Sequence, residues 1–361
     1  MPEALERTVY VVGPRWHHHA AHADYAVAAS LACQLSAQVK KLNSPIEYRW
    51  LSRALVRRLL TQSKGEPNYS LGTLLTEIVV ARHMWRRGGS LYHLLYGERD
   101  RTLARSLPRL FTRPVIATFH SPPARLAHKG IDRRRLRGLE AVLVVAASQR
   151  RYFEEQGVTR VFVTMHGVDT QFFHPAPAPA AGPPRCIVVG GHLRDFETLG
   201  HTIRLIRERV RGLRTVILGA PTRWQQSLYS AGGGSVEFRY GISDHQLLAA
   251  YQASSLALLP YQDATASNAL LESMACGLPV VTSDVGGVPE YTGSDGAILC
   301  PPRDPEVMAQ AAVRVLDDPA YARERRVRGR TRSLQFDFSV AARQLLDVYA
   351  TVLGDAGMAS G

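Results

Sequence analysis

The residues with the clearest chemical content lie between Leu256 and Glu290, in LALLPYQDATASNALLESMACGLPVVTSDVGGVPE. Two short apolar runs, Leu256 to Leu259 and Pro279 to Thr282, bracket a segment with helical spacing, so the stretch predicts a strand, a helix and a second strand. Ser267 is placed to cap a helix beginning near Asn268, while Gly277 supplies a left-handed stop and Pro279 blocks continuation. The unpaired N–H groups from Asn268 through Ala269 and Leu270 to Leu271, with the positive end of the helix dipole, make an anion site suited to a phosphate. Leu271, Met274 and Ala275 form the expected buried stripe; Glu272 falls on a different face and leans towards the helix N-terminus. A carboxylate there accepts hydrogen bonds from sugar hydroxyls next to the phosphate. An isolated Glu on a helix is ordinarily a solvated surface residue. Here the acid follows a buried strand and precedes Gly286-Gly287, at the carboxyl edge where open α/β sheets bind ligands.

Other reactive residues depend on the elements that precede them. Val9 to Val12 reads as a strand, followed by a loop carrying Trp16, His17, His18, His19 and His22 before a helix from about Asp24 to Ala37. Adjacent residues of an extended loop point in different directions and no carboxylate or Cys pattern completes a ligand set, so these histidines suit the polar mouth of a cleft better than a metal. No metal or other cofactor is expected. Leu91 to Leu95 and Pro114 to Thr118 are further strands, and the second runs into Phe119-His120-Ser121, which puts His120 at the ligand edge of its sheet. Such a histidine taken alone is commonly a hydrogen-bonded structural residue. Ala141 to Val145, a helix from Ser148, and Val161 to Thr164 complete a first sheet, and the Pro-rich Ala176 to Pro184 reads as a semi-rigid spacer between domains spanning 1–175 and 185–335. A second α/β run opens with Cys186 to Val189 and Gly190-Gly191-His192-Leu193-Arg194. Gly-Gly between strand and helix lets backbone approach a diphosphate, and Arg194 offers the countercharge. Thr215 to Leu218 ends at Gly219, and Val236 to Arg239 leads into Tyr240-Gly241-Ile242, followed by Ser243 and Gln246 at capping-box spacing. Residues 304–330 read as helices and Phe338 to Leu353 as a final amphipathic helix.

A chain of 361 residues exceeds one ordinary core, and a hydrophobic fraction of 45% suits packed domains rather than disorder. The net charge of +13 favours anionic partners such as phosphates, acidic glycans, anionic lipid or nucleic acid without choosing among them. No zinc-finger or RNA-binding signature appears, so no nucleic-acid partner is expected. Residues 50–64 form an amphipathic helix with Leu51, Leu55 and Leu59 on one side and Arg53, Arg57 and Lys64 elsewhere. Two readings stand for it: an ordinary surface helix, or contact with an anionic membrane extended by Lys40, Lys41, Arg82, Arg86 and Arg87. Cys33, Cys186, Cys276 and Cys300 lack C-x-x-C spacing, which fits a reducing cytoplasm. The acidic MPEALERTVY start and the lack of any apolar run of roughly 18 residues predict neither leader nor membrane span, and hence a cytoplasmic protein, with peripheral attachment to the inner face of the membrane as the alternative.

The run LLESMACGLPVVTSDVGGVPE resembles the second half of the nucleotide-binding signature of retaining glycosyltransferases of family 4. That family has the GT-B fold, so the resemblance implies an α/β chain with two Rossmann-like domains facing each other across a cleft, donor in the second and acceptor in the first. It implies transfer of a sugar from a nucleotide diphosphate sugar to the hydroxyl of a glycan, lipid or small molecule. Glu272 takes the place of the acid that binds the ribose; the family's first Glu falls at Ala264, with Asp263 beside it. ATFHSPP resembles the loop whose His contacts the donor sugar, which makes His120 catalytic, and MHGVDTQFFHP resembles the exit segment, with His166 in place of Asn. The diphosphate falls to Gly190, Gly191, Arg194 and the helix end at Ser267 and Asn268, the sugar to His120 with Asp263 or backbone near Ala266, and the base to Tyr240, Gly241 and Ile242. Where the family carries Arg and Lys after its first glycine loop, this chain has Gly191 and Phe196. Relatives return the C-terminal helix, here 336–361, to the first domain. The missing Glu keeps two alternatives open: a catalytically degenerate nucleotide-sugar-binding protein, and a GT-B sugar-nucleotide epimerase.

Overall fold

A computed structural model describes residues 7–13, 22, 25–43, 71–86, 90–98, 113–177 and 182–358. The chain forms two compact units, Met1–His166 with Ser339–Gly361, and Gly167–Phe338. The first contains strands β1 (Val9–Gly13), β2 (Val39–Asn43), β3 (Leu91–Leu94), β4 (Val115–Phe119), β5 (Ala141–Val144) and β6 (Val161–Val163). The second contains β7 (Arg185–Val189), β8 (Arg214–Leu218), β9 (Val236–Arg239), β10 (Leu256–Leu259), β11 (Val280–Ser283) and β12 (Ile298–Cys300).

Each unit holds one six-stranded sheet, ordered β2-β1-β3-β4-β5-β6 and β12-β11-β10-β7-β8-β9. Every pairing within them is parallel. Parallel sheets are covered on both faces, which is why β3, β4, β5, β10 and β11 are buried at every position and read as continuous apolar runs. Counted from β7, the second sheet has the doubly wound order 3-2-1-4-5-6, so its direction reverses between β7 and β10. The loops leaving those two strands therefore diverge to opposite sides and open a crevice at their carboxyl ends.

The predicted unit around Glu272 forms as expected, with the helix spanning Asn268–Ala275 between β10 and β11. Ser267 caps it by accepting from the Leu270 amide at 3.3 Å, and Gly277 is left-handed at φ 61°. The Ser243–Gln246 capping box is also present. The packing differs from the expected stripe, because Ala269 through Ala275 are all buried, Glu272 included. The helix lies between the sheet and a second helix, Pro319–Ser333, so no side of it faces open solvent.

Two strands were not predicted. Among the described residues β2 pairs only with β1, and Lys40 and Lys41, expected as part of a basic patch, occupy this edge as exposed residues, where Lys discourages pairing with another chain. β12 is only three residues long, too short for its apolar Ile298–Cys300 to show a period. The helix Leu71–Arg86 was likewise unanticipated. The units divide between His166 and Gly167 rather than at the Pro-rich stretch, part of which (178–181) lies outside the described residues. Val168 exchanges backbone hydrogen bonds with Phe336 and Phe338 at 2.8 and 3.1 Å, joining the segment that enters the second unit to the one that leaves it. A Cβ on Gly167 would lie 2.5 Å from the Phe338 ring, so glycine is required for this crossing. The expected helix at 50–64 lies outside the described residues. No helix among the described residues is long and apolar enough to cross a membrane.

Candidate active site

In the second unit the crevice between β7 and β10 is built from two loops tied together. Asp195 donates its amide to Pro260 O at 3.0 Å and Gln262 donates to Leu193 O at 2.9 Å. Between these bonds the Arg194 guanidinium lies over the Tyr261 ring, 4.1 Å from its centroid. Its Nε donates to Gly190 O at 3.3 Å and Nη2 to Val189 O, so the arginine grips the end of β7. Arg194 is 4% exposed, and its Nη1 is buried with no hydrogen-bond partner. A buried cation with an unused donor at a switch point is a ready partner for an anion. Phe196, at the position of the expected second cation, instead stacks on Trp224 in the core.

Glycine serves a left-handed backbone at 190 and 219 and close backbone approach at 191. Gly190 and Gly219 have φ of 77° and 78°, and a Cβ on Gly191 would sit 2.8 Å from Gly219 O. At the end of β9 the exposed Tyr240 is held over the neighbouring loop, donating to Ala220 O at 2.9 Å and accepting from Gln225 Nε2 at 2.6 Å; Gly241 follows at φ 61° and Ile242 is half-buried. Its aromatic ring is thereby fixed beside the segment that follows β8.

The loop after β10 is pinned from above. Asp263 accepts from the Ala264 amide at 2.8 Å, Ala264 O accepts from Gly287, and a Cβ on Gly286 would lie 2.0 Å from Ala264 O. This explains Gly286-Gly287: the second loop must lie directly on the first. Burial raises the Asp263 carboxyl above its ordinary value, partly opposed by the Ala264 amide. Ala266 and Ser267 are half-buried and Asn268 is exposed, so the helix N-terminus reaches the surface, whereas Glu272 is 4% exposed. Glu272 Oε2 accepts from the Tyr251 hydroxyl at 2.8 Å. Burial pushes the Glu272 carboxyl up to about 7, with the Tyr251 hydrogen bond opposing and Asp244 reinforcing the shift.

In the first unit His120 follows β4 and is held by residues of the loop after β3. Its Nε2 donates to Leu95 O at 2.8 Å and its ring stacks on Tyr96 at 4.7 Å, with Tyr25 edge-on at 5.1 Å and His166 at 6.5 Å. His166, matched to an Asn of the family motif, is buried beside Tyr25. His93 is a different case: wholly buried between Tyr349 and Thr118, it is driven down to about 3 by burial and then by the neighbouring His120, and serves the core as a neutral ring. His22 is half-buried; Trp16, His17 and His18 lie outside the described residues. Among the described residues no group of His, Cys, Asp or Glu is arranged to hold a metal.

Tyr251, Tyr261 and Glu98, whose Oε1 accepts from the His120 amide at 2.8 Å, belong to these arrangements and were missed from sequence. Tyr251 reads as one more apolar residue of LLAAY, and its partner lies 21 residues away. Tyr261 and Glu98 carry no motif; only the close approach of separate loops gives them a role.

Residues 183–318 match the family model described as glycosyl transferases group 1. Alpha-maltose-1-phosphate synthase of Mycolicibacterium smegmatis is 27% identical over 311 residues, covering 76% of this chain and 79% of that protein. The match to the group 1 glycosyltransferases falls within the second unit. Sucrose-phosphate synthase from Thermosynechococcus elongatus superposes with a TM-score of 0.75 at 18% identity over 97% of this chain and 100% of that one. HepE of Anabaena, solved in complex with UDP and glucose, gives 0.72 at 14% identity over 95% and 100%. These likenesses give the two-domain GT-B fold. This glycosyltransferase is thus an enzyme of sugar transfer, and neither an inert binding protein nor an epimerase is favoured by its relatives.

Proposed function

We propose that this glycosyltransferase moves a sugar, with retention, from a nucleotide diphosphate sugar to a hydroxyl of a glycan, lipid or small-molecule acceptor. The observation that carries the proposal is the buried Arg194 at the β7/β10 switch point, with Nη1 unpartnered and the open end of the Asn268 helix on the adjoining loop. Breaking the bond between sugar and diphosphate leaves negative charge on the leaving group. Of the four amides expected to be open, Leu270 and Leu271 donate to Ser267, which leaves Asn268 and Ala269; these and the guanidinium, already fixed in place, stabilise that charge without reorganising. One oxygen of Glu272 is held by Tyr251, and the proposal assigns the other to a ribose hydroxyl. Tyr240 with Gly241 and Ile242 takes the base, and Asp263 with backbone at Ala266 the sugar. For the first unit, His120 serves the sugar side of the reaction and His22 the acceptor side. No metal is assigned, because the cations that offset diphosphate charge are the protein's own.

Support for the donor class comes from HepE, solved with UDP and glucose, and from a relative named as a GDP-mannose-dependent mannosyltransferase. The basic composition agrees with an anionic donor and with peripheral contact to anionic lipid, which stays part of this proposal. Thermal shift against uridine, guanosine, adenosine and thymidine diphosphates tests it: one diphosphate should raise the midpoint in a concentration-dependent way. A folded protein that responds to none of the four refutes it.

A further inference from the structure

Glu98 emerges from a turn that follows β3 and is 6% exposed. Its Oε1 accepts two backbone hydrogen bonds, from His120 N at 2.8 Å and Ser121 N at 2.9 Å. Its Oε2 is buried with no partner. The same short segment supplies the other restraints on His120, through Leu95 O and the Tyr96 ring. Gly97 makes this possible. A Cβ there would meet the Phe119 ring at 2.6 Å and Ala117 at 2.9 Å, and its amide donates to Thr118 O at 2.8 Å, so the segment lies flat along the end of β4. Four consecutive residues, Leu95 to Glu98, therefore form a cradle around one histidine. Gln149 completes the loop's anchorage from the other side, donating to Phe119 O and Ser121 O at 3.0 Å.

We propose that Glu98 is a positioning residue for His120: its carboxylate clamps the His120–Ser121 backbone so that the imidazole is presented as the Nε2–H tautomer with Nε2 donated to Leu95 O. A buried carboxyl is costly to keep, and an unpartnered oxygen adds to that cost. Gln149 already secures the carbonyls of this loop, so anchoring alone does not require an acid. What the loop still needs is an accepting oxygen for its amides, which Gln149 leaves unbonded at His120 and Ser121 because its own oxygen is taken by Val145 N and Ala146 N at 3.0 Å. A side chain that accepts from both amides through one oxygen fixes the backbone direction at the point from which the imidazole departs.

The role of His120 in turnover rests on the proposed function, whereas the state of its ring does not, and the test separates them. Imidazole nitrogen shifts of His120 are measured in the whole protein, in Glu98→Gln and in Glu98→Ala. The wild type should show the Nε2–H tautomer. Gln retains the accepting oxygen and should preserve it, while Ala should give a mixture of tautomers. In parallel, hydrolysis of UDP-glucose and GDP-mannose is followed without acceptor. For whichever is consumed, Glu98→Ala should lower kcat at least tenfold with KM within twofold, and Glu98→Gln should recover most of that loss. A His120 ring unchanged in folded Glu98→Ala overturns the proposal, as does a ring disturbed equally by Gln and Ala. Failure of the wild type to consume either donor counts against the functional reading alone, because the imidazole signals judge Glu98 without turnover.

Discussion

Burying the Glu272 carboxyl has a measurable consequence for stability. Its folded pKa is about 7, against an ordinary value of 4.5, and burial is the main cause. Below pH 4.5 the group is protonated in both folded and unfolded chains and contributes nothing. Between 4.5 and 7 the folded state holds a proton that the unfolded chain releases, so stability falls as pH rises. Above 7 the whole cost is present, about 3 kcal/mol for a shift of this size. Glu272→Gln removes the ionisation and keeps an oxygen for the Tyr251 hydroxyl. The variant should match the wild type near pH 5 and exceed it in stability by about 1–3 kcal/mol at pH 8. At the same time it should bind nucleoside diphosphate less well, because an uncharged amide is a weaker acceptor for ribose hydroxyls. The assay is urea unfolding from pH 5 to 8 with Trp224, which stacks on Phe196 in the second unit, as reporter after the other three tryptophans are replaced by Phe. The two units need not unfold together, so the quantity compared is the difference between the two proteins under identical conditions. A difference that does not change with pH refutes the reasoning.

Tyr251→Phe removes the one side-chain hydrogen bond to Glu272 Oε2 described here; the acid should become harder to ionise, and calorimetry should find nucleotide binding weaker by about 1–3 kcal/mol, with its optimum moved to higher pH. An unchanged pH optimum would remove Tyr251 from the site. Gly286→Ala forces a Cβ against Ala264 O at a left-handed position and should cost about 1–3 kcal/mol of stability, read as a lower unfolding midpoint, together with lost diphosphate response. A midpoint equal to that of the wild type would mean the two loops are not in register as described. His120→Ala should lower turnover far more than nucleotide affinity, and the reverse pattern in steady-state and binding measurements would take it off the catalytic side.

Much of the second unit is legible in the chain itself, because its signals are local. The strand, cap and stop around Ser267 and Gly277, the Ser243–Gln246 box and the apolar runs of β7 to β11 each depend on residues within a few positions of one another. β2 and β12 escaped because β2 carries Lys40-Lys41 inside a five-residue run and β12 is three residues long, so neither shows a clear period, and each is fixed by pairing with a strand outside it. The identity of Glu272 as the notable acid could be read from spacing, but its burial could not. Helical periodicity gives a face, and only the packing of the Pro319–Ser333 helix on the other side shows that this face is closed as well.

The sequence by itself determined the kinds of element, their order and which residues sit at strand ends, since turns, caps and apolar runs are short-range physics. Tertiary structure alone decided the pairings that give those residues their chemistry: Tyr251 with Glu272, Arg194 with Tyr261, Gly286 with Ala264, and Glu98 with the amide of His120. The first joins two helices that follow different strands of a parallel sheet, and the other three join loops that leave different strands. Such strands are connected through intervening crossovers, so the residues that meet at their carboxyl ends are necessarily remote in the chain.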